Sequence, residues 1–310
     1  MSKDKYKVKN WSSYNEGLKQ RGSLNIWIAQ DVMQDWNHVQ EGKIKRGGQF
    51  QYSNQAIEIC LALRKVYNLP LRQTEGFVRS IFSMSNILIP VPDYTTLCRR
   101  SNGLKVRLSA TATGNITDIV VDSTGLKVYG EGEWKVRKHG AGKHRTWMKL
   151  HIAANGENQQ VEAVTLTTNA VDDASEVESL LNQVNKPVRS LRGDGAYDKD
   201  KVRKALHKRN IKQIIPPQRN AVCDKKQRAH RTQRDQAINT IKTIGRAAWK
   251  IQQGYHERSK AETTMFRYKT IIGDNLAARK LEHQKTEVII GCKIINTMLK
   301  LIKPQSVKVA

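Results

Sequence analysis

The chain has 310 residues, 38% of them hydrophobic, enough for a sizeable core and too many for a broadly disordered protein. Its 54 Lys and Arg against 28 Asp and Glu give a formal net charge of +26, spread along the chain, which points to a polyanion, most often nucleic acid, rather than to an acidic membrane surface. The cysteines, Cys60, Cys98, Cys223 and Cys292, form no CxxC pair and argue against a zinc ribbon, and the longest apolar stretch, Val288 to Ile302, is broken by Lys293 and Lys300 and is no membrane span.

Residues 1–22 are polar, with Trp11 and Tyr14 as isolated aromatics, and no apolar signal segment follows the basic start MSKDKYKVKN, so a reducing cytoplasm is expected. Leu24, Trp27, Ile28, Val32 and Trp36 have helical spacing and predict a helix over Ser23 to Trp36. Glu41 to Gln51 reads as a basic loop. Ser53 or Asn54 caps a helix reaching about Tyr67, Pro70 opens a second over Leu71 to Phe82, and Pro90 and Pro92 enforce a turn. Asp93 caps a third short helix that ends in Arg99 and Arg100. Three short helices, the last one basic, fit a helix-turn-helix reader with Arg99 and Arg100 as DNA contacts; the alternative is a helical bundle that only packs on the core.

After a polar hinge at 101–115 the pattern changes. Ile116 to Gly125, β-branched and ending on glycine, predicts a buried strand that delivers Asp122 at its C-terminal end. A loop rich in Gly, Lys and His (130–144) precedes strands over Thr146 to Ala153 and Gln160 to Thr168, joined by an Asn155-Gly156 hairpin turn. His139 and His144 in that loop have no metal spacing and face DNA or are simply polar. Asp173 with Glu176 resembles a capping box for a helix to about Asn182. Val188 to Gly193 is a strand that delivers Asp194, Asp198 to Arg209 a basic helix, and Lys212 to Ile215 a fifth strand stopped by Pro216-Pro217. The order βββ-α-β-α-β is that of a ribonuclease-H-like α/β core with a mixed five-stranded sheet.

Between Lys199 and Arg234 thirteen Lys and Arg stand against two Asp, a local net of +11 that reads as a solvated charge run or a DNA-tracking surface. Ile238 to Ile251 is helical, and Val288, Cys292, Ile295, Leu299 and Ile302 outline an amphipathic C-terminal helix. In YHERSKAETTMFRYK, Tyr255, Arg258, Glu262 and Lys269 fall within about 60° of one another on a uniform α-helix. Such a face is an ion-pair ladder, or a carboxylate set among cations for work on a phosphate backbone.

Asp122 and Asp194 at neighbouring strand ends, with Glu262 arriving on a helix, form a candidate site for hard cations: Mg²⁺ or Mn²⁺, two ions, activating a water or 3′-OH and stabilising the leaving oxygen. Each aspartate has a plainer reading as a turn or helix cap.

The segments VDSTG (Val121–Gly125), GDGAYD (Gly193–Asp198) and Tyr255-x2-Arg258-x3-Glu262-x6-Lys269, with RTWMKLHIAANG, LPLRQTEGFVRS and PDYTTLCRR, resemble bacterial insertion-sequence DDE transposases of the insertion-sequence-five family, whose signature is Y-R-E-K. The resemblance spans nearly the whole chain. It implies Asp122, Asp194 and Glu262 as the metal-binding catalytic triad, Arg258 and Lys269 as contacts to terminal DNA phosphates, and Tyr255 as a DNA contact or a residue packed under Glu262. It further implies an N-terminal DNA-binding region at 1–112, a catalytic domain at 113–310, double-stranded DNA as element end and target, a homo-oligomeric synaptic complex, and a bacterial, nucleoid-associated location with no membrane. The alternatives are a metal-dependent nuclease without strand transfer and a non-catalytic DNA-binding protein.

Overall fold

The computed structural model describes residues 5–28, 33–39, 47, 49–108, 116–128, 147–302 and 304–309. The chain forms two compact units, Met1–Val106 with Ile294–Ala310, and Arg107–Lys293.

In the first unit, strand β1 (Lys5–Val8) pairs antiparallel with the closing strand Ser306–Val309, and helix α1 (Trp11–Gln20) follows. The polar N-terminal stretch therefore holds two elements that hydropathy does not signal. The buried residue of α1 is Gly17, where a Cβ would lie 3.2 Å from Ile302. Close approach through a glycine leaves no apolar stripe to read. Of the helix expected over Ser23 to Trp36, residues 29–32 lie outside the described residues; Leu24–Ile26 is a 3-10 turn, whose cap Ser23 accepts a hydrogen bond from the Asn25 amide, and Met33 and Gln34 are helical. Trp36 is buried in non-helical backbone, its indole donating to the Pro90 carbonyl at 2.9 Å.

The three helices are α2 (Asn54–Val66), α3 (Leu71–Met84) and α4 (Tyr94–Arg100). Ser53 caps α2 by accepting from the Ala56 amide at 3.0 Å, and Asp93 caps α4 by accepting from the Thr96 amide at 2.7 Å. Ile57, Cys60, Leu63, Val78, Phe82 and Leu97 are buried.

The second unit is a mixed α/β structure. Strands β2 (Thr117–Val128), β3 (Trp147–Asn155) and β4 (Val161–Thr168) form an antiparallel meander. After α5 (Val177–Gln183), β5 (Val188–Arg192) lies parallel to β2; after α6 (Asp200–Lys208), β6 (Lys212–Ile214) lies parallel to β5. The order is β4-β3-β2-β5-β6. A sixth strand, β7 (Asn275–Leu276), pairs parallel with the far end of β2, so among the described residues the sheet has six strands where five were expected. The cause is the length of β2. Gly125 does not end it: the Trp147 ring lies over that glycine, where a Cβ would be 3.1 Å away, and pairing continues to Val128.

Strand alternation sorts the two faces. Ile119, Val121, Ala153 and Leu191 pack with Val177, Leu180, Val202 and Leu206 from α5 and α6. The opposite face of β2 and β3 is covered by α9 (Ser259–Arg267). Before it, the single helix expected over Ile238 to Ile251 is two, α7 (Thr232–Ile244) and α8 (Arg246–Gln252), parted at Gly245 with φ +83°. The C-terminal helix α10 (Leu281–Lys300) buries Val288, Cys292, Ile295 and Leu299 and starts earlier than the apolar pattern does.

Two local expectations fail for stated reasons. The β3–β4 connection is no two-residue Asn-Gly turn: the Asn155 side chain accepts from the amides of Glu157 (2.8 Å) and Asn158 (3.2 Å), and Gln159, not Gly156, has positive φ. Asp173 caps no helix, because Lys149 claims its carboxylate at 3.0 Å.

Candidate catalytic site

β2 and β5 pair through Ile119↔Leu191 and Val120↔Arg192, and then part. Asp122 and Asp194 each lie two residues beyond that last pair, so the parallel register delivers two carboxylates to the place where the strands separate. Asp194 sits at the end of β5 as expected. Its backbone turns into a 3-10 segment, Gly195–Tyr197, and its Oδ1 accepts from the Ala196 amide at 2.8 Å. Asp122 does not end its strand; it lies mid-strand, opposite Ile152 of β3, with its Oδ1 accepting from the Ser123 amide at 2.9 Å.

The stretch carrying Glu262 is not a uniform α-helix. It begins as a 3-10 turn, Tyr255–Arg258, becomes α-helical in α9, and ends as a π turn, Tyr268–Ile272. Different windings advance by different angles per residue, so the narrow face computed for Tyr255, Arg258, Glu262 and Lys269 does not persist to its end. Arg258 and Glu262 remain partners. One guanidinium nitrogen of Arg258 donates to Glu262 Oε1, and the other lies 3.5 Å from Asp122 Oδ2. Lys269 is exposed and its charge acts on Asp274, whose carboxyl it helps to hold low behind the hydrogen bond from Lys127. α9 is anchored to the β3–β4 turn by Lys260, donating to the Gly156 carbonyl, and by Arg267, donating to Gln159 Oε1.

The electrostatics tie these groups together. Burial pushes the Asp122 carboxyl above the usual range; the Ser123 amide and Arg258 oppose this, while Asp194 and Glu262 reinforce it. Burial also raises the Tyr255 hydroxyl, with Asp194, Glu262 and Asp122 adding and Arg258 opposing. Burial works against the charged Arg258, but Tyr255, Glu262, Asp122 and Asp194 outweigh it and raise its pKa. Tyr255, Arg258, Glu262, Asp122 and Asp194 thus share one site.

Among the described residues no three His, Cys, Asp or Glu side chains stand close enough to hold a metal ion as they are. Arg258 supplies the positive charge at Asp122 and Glu262 instead. The donor set nevertheless fits a hard divalent cation: three carboxylates, one of them half-buried and driven toward its neutral form first by burial and then by the other two, are the oxygen-rich, charge-deficient surroundings such an ion relieves.

Sequence reasoning missed Tyr197. Its ring lies under Gly193, with Cδ2 2.9 Å from where a Cβ would be, and its hydroxyl is pushed up by burial and then by Asp122, Asp173 and Asp194. It is a buried floor beneath Gly193, the residue that precedes Asp194. The one signal was the pairing of Gly193 with an aromatic in GDGAYD.

In the first unit, Arg99 and Arg100 line a cavity of about 710 Å³ with Gln49, Phe50, Asn54 and Lys105. Arg100 is committed there: it donates to the Tyr52 carbonyl (2.9 Å) and Asn54 Oδ1 (2.6 Å) and lies 4.0 Å from the Phe50 ring centroid. Arg99 is exposed. Much of the basic run 199–234 is also paired. Arg203 and Arg234 bind the buried Asp198; His230, Arg231 and Lys204 bind Asp200; Arg228 binds Asp224; Lys201 binds Asp172. His139 and His144 lie outside the described residues.

A family model described as a transposase DDE domain matches residues 113–297, and a second of the same description matches residues 19–131. Among solved structures, the Drosophila P element transposase strand transfer complex overlaps with a TM-score of 0.31 at 12% identity, covering 92% of this chain and 86% of that chain, a likeness too slight to bear on fold or chemistry. Among the described residues no helix is long and apolar enough to cross a membrane.

Proposed function

The chain belongs to the DDE transposase domain family, and on that footing we propose that it is a DNA transposase of the insertion-sequence-five branch. It binds the terminal inverted repeats of a bacterial insertion sequence, cleaves to free a 3′-OH, and joins that end to target DNA by phosphoryl transfer. Residues 1–112 bind the element ends, with Arg99 at the DNA. Residues 113–310 form a ribonuclease-H-like catalytic domain with its C-terminal helices. The protein acts as a homodimer or larger assembly, because joining requires two ends held together, and it works at the bacterial nucleoid.

The observation that carries this reading is the convergence of Asp122, Asp194 and Glu262, from two strands and one helix, around the guanidinium of Arg258. A half-buried carboxylate whose burial is reinforced by two like charges is costly unless a cation is part of its task. Held by these three side chains, Mg²⁺ or Mn²⁺, two ions, would polarise the attacking oxygen and stabilise the leaving one. The chain's own residues do the rest. Asp122, fixed on a paired strand, and Asp194, fixed by its amide bond to Ala196, keep the carboxylates in place without substrate. Arg258 neutralises Asp122 and Glu262 at rest and, with Lys269, offsets the charge that develops on the scissile phosphate. Tyr255 contacts the DNA beside Arg258. Tyr197 keeps the floor dry and rigid. No covalent protein–DNA intermediate is required.

The test uses purified protein, a duplex carrying the DNA that flanks the gene, and Mg²⁺ or Mn²⁺. Wild type nicks the element end and joins it to a second duplex, whereas Asp122→Asn, Asp194→Asn and Glu262→Gln bind DNA but do not cleave. Nicking retained in those variants overturns the site. Cleavage without joining reduces the protein to a nuclease, and binding without cleavage leaves a DNA-binding protein.

A further inference from the structure

Arg192, the last residue of β5, is a charged side chain placed where charge is expensive: it is 8% exposed. Its Nη1 donates to Ser190 Oγ at 2.9 Å and lies 3.6 Å from Asp118 Oδ2. Its Nε donates to the Gly254 carbonyl at 3.3 Å, and its Nη2 lies 3.1 Å from Glu257. Gly254 is left-handed, with φ +61°, and is where the chain leaves α8 and enters the 3-10 turn Tyr255–Arg258. One rigid fork therefore spans from the sheet to the turn that presents Arg258, with Glu262 four residues further on. Asp118 and Ser190 are register partners in β2 and β5, so the sheet end of the fork is fixed by two strands at once.

Burying an arginine is a poor way to gain stability, since a well-packed apolar side chain of similar volume is often as good or better. What a guanidinium offers is direction: five N–H donors in a fixed plane. We propose that Arg192 is a positioning residue for the reaction: through Gly254 and Glu257 it sets the placement of Arg258 and Glu262 relative to Asp122 and Asp194. This rests on the DDE reading of those carboxylates and extends it to a side chain that touches neither DNA nor cation. Strand and turn are separated by more than sixty residues, so the fork is the long-range bond that closes the site.

The experiment compares wild type with Arg192→Met, Arg192→Lys, Glu257→Gln and the Arg192→Met/Glu257→Gln double variant. It measures nicking turnover, the DNA concentration at half-maximal rate, thermal melting, and hydrogen exchange of the 254–262 amides. Arg192→Met lowers kcat about tenfold to a hundredfold with KM unchanged, since a displacement near 1 Å costs about that much, and it speeds exchange at 254–262 more than at 188–192. Arg192→Lys does not rescue, because a single ammonium cannot serve Ser190 and Gly254 together. Glu257→Gln, on a half-exposed residue that leaves the core intact, gives a smaller loss, and the double variant is no worse than Arg192→Met. Wild-type kcat in Arg192→Met overturns the proposal, as does a loss of rate that merely follows a lowered melting temperature and is repaired by lysine. Failure of the underlying reading looks different: wild type itself would not nick.

Discussion

Gly193→Ala tests whether the floor of the site is as tight as the geometry implies. A Cβ there would lie 2.9 Å from Tyr197 Cδ2, 3.1 Å from Tyr197 Cγ and 3.2 Å from Val121 Cγ2. Carbon pairs settle at about 3.5–4.0 Å, so the ring must withdraw by about 0.6 Å. Tyr197 is 2% exposed and Val121 1%, both within the core that α5 and α6 close, so neither swings out to solvent. Overpacking of this kind costs about 1–3 kcal/mol. The ring lies against Gly193, the residue before Asp194, and its hydroxyl feels both Asp122 and Asp194; functional constellations tolerate displacements of only about 0.5 Å. The variant should fold, melt earlier, bind DNA as wild type does, and nick about ten to a hundred times more slowly. Thermal melts, gel-shift titrations and single-turnover nicking measure the three. Tyr197→Leu added to Gly193→Ala removes the clashing ring atoms and should cost less than the sum of the single changes. Wild-type stability together with wild-type rate in Gly193→Ala, or strictly additive effects in the double variant, would refute the reasoning.

Acid stability follows from Asp118, which is 6% exposed and held at about 2, first by the Arg189 hydrogen bonds, against burial, and then by Ser190 and Arg192. A folded pKa below the ordinary 3.8 adds stability that is complete above about pH 4 and is lost as the pH falls through about 2. The shift corresponds to about 2 kcal/mol, nearer 1 once the solvent-exposed Arg189 partner is discounted. The difference in urea midpoint between wild type and Asp118→Asn should therefore shrink from about pH 5 to pH 2, and parallel curves would rule this out. In the first unit, Arg99→Ala should weaken DNA binding and lower the salt slope by about 1 without changing the melting temperature. Arg100→Ala should lower the melting temperature, because it orphans the Tyr52 carbonyl and uncovers Phe50; weaker binding at unchanged stability in Arg100→Ala would reverse the two roles.

The sequence made the sheet legible where β-branched runs end in turn residues, and it made both aspartates legible because each closes a run of that kind or sits within one. It could not reveal β7, since two residues carry no periodicity, and therefore it stopped β2 at Gly125. It could not reveal the windings of the Glu262 stretch, because 3-10, α and π turns leave the same apolar positions inward over so short a span; the phase error accumulates toward Lys269. Charge was legible as a total but not as a surface. The run from Lys199 to Arg234 counts as strongly basic, yet Asp172 lies outside the window and takes up Lys201, while Asp198 sits one residue before it and takes up Arg203 and Arg234. The first helix was missed because its buried contact is a glycine.

The position of Asp122 within β2 explains why the site forms where it does. β2 has a full antiparallel partner in β3 along one edge, from Ile119 to Lys127. Along the other edge it has two parallel partners in succession: β5 up to Val120, and β7 from Lys127 onward. Between them, among the described residues, no strand pairs with 121–126 on that side, and the 3-10 turn Tyr255–Arg258 packs against both β2 and β5. Asp122 therefore occupies a gap in the sheet rather than its rim. A carboxylate at a strand end would sit on backbone free to move on one side; here the chain is held both before and after it, by β3 throughout and by β7 with the Lys127–Asp274 ion pair at 2.8 Å beyond. Sites mounted on paired strands hold their geometry better than sites on loops. The two residues of β7, which no pattern in the sequence marks, hold the far end of that gap in place, and the guanidinium of Arg192 closes the near one.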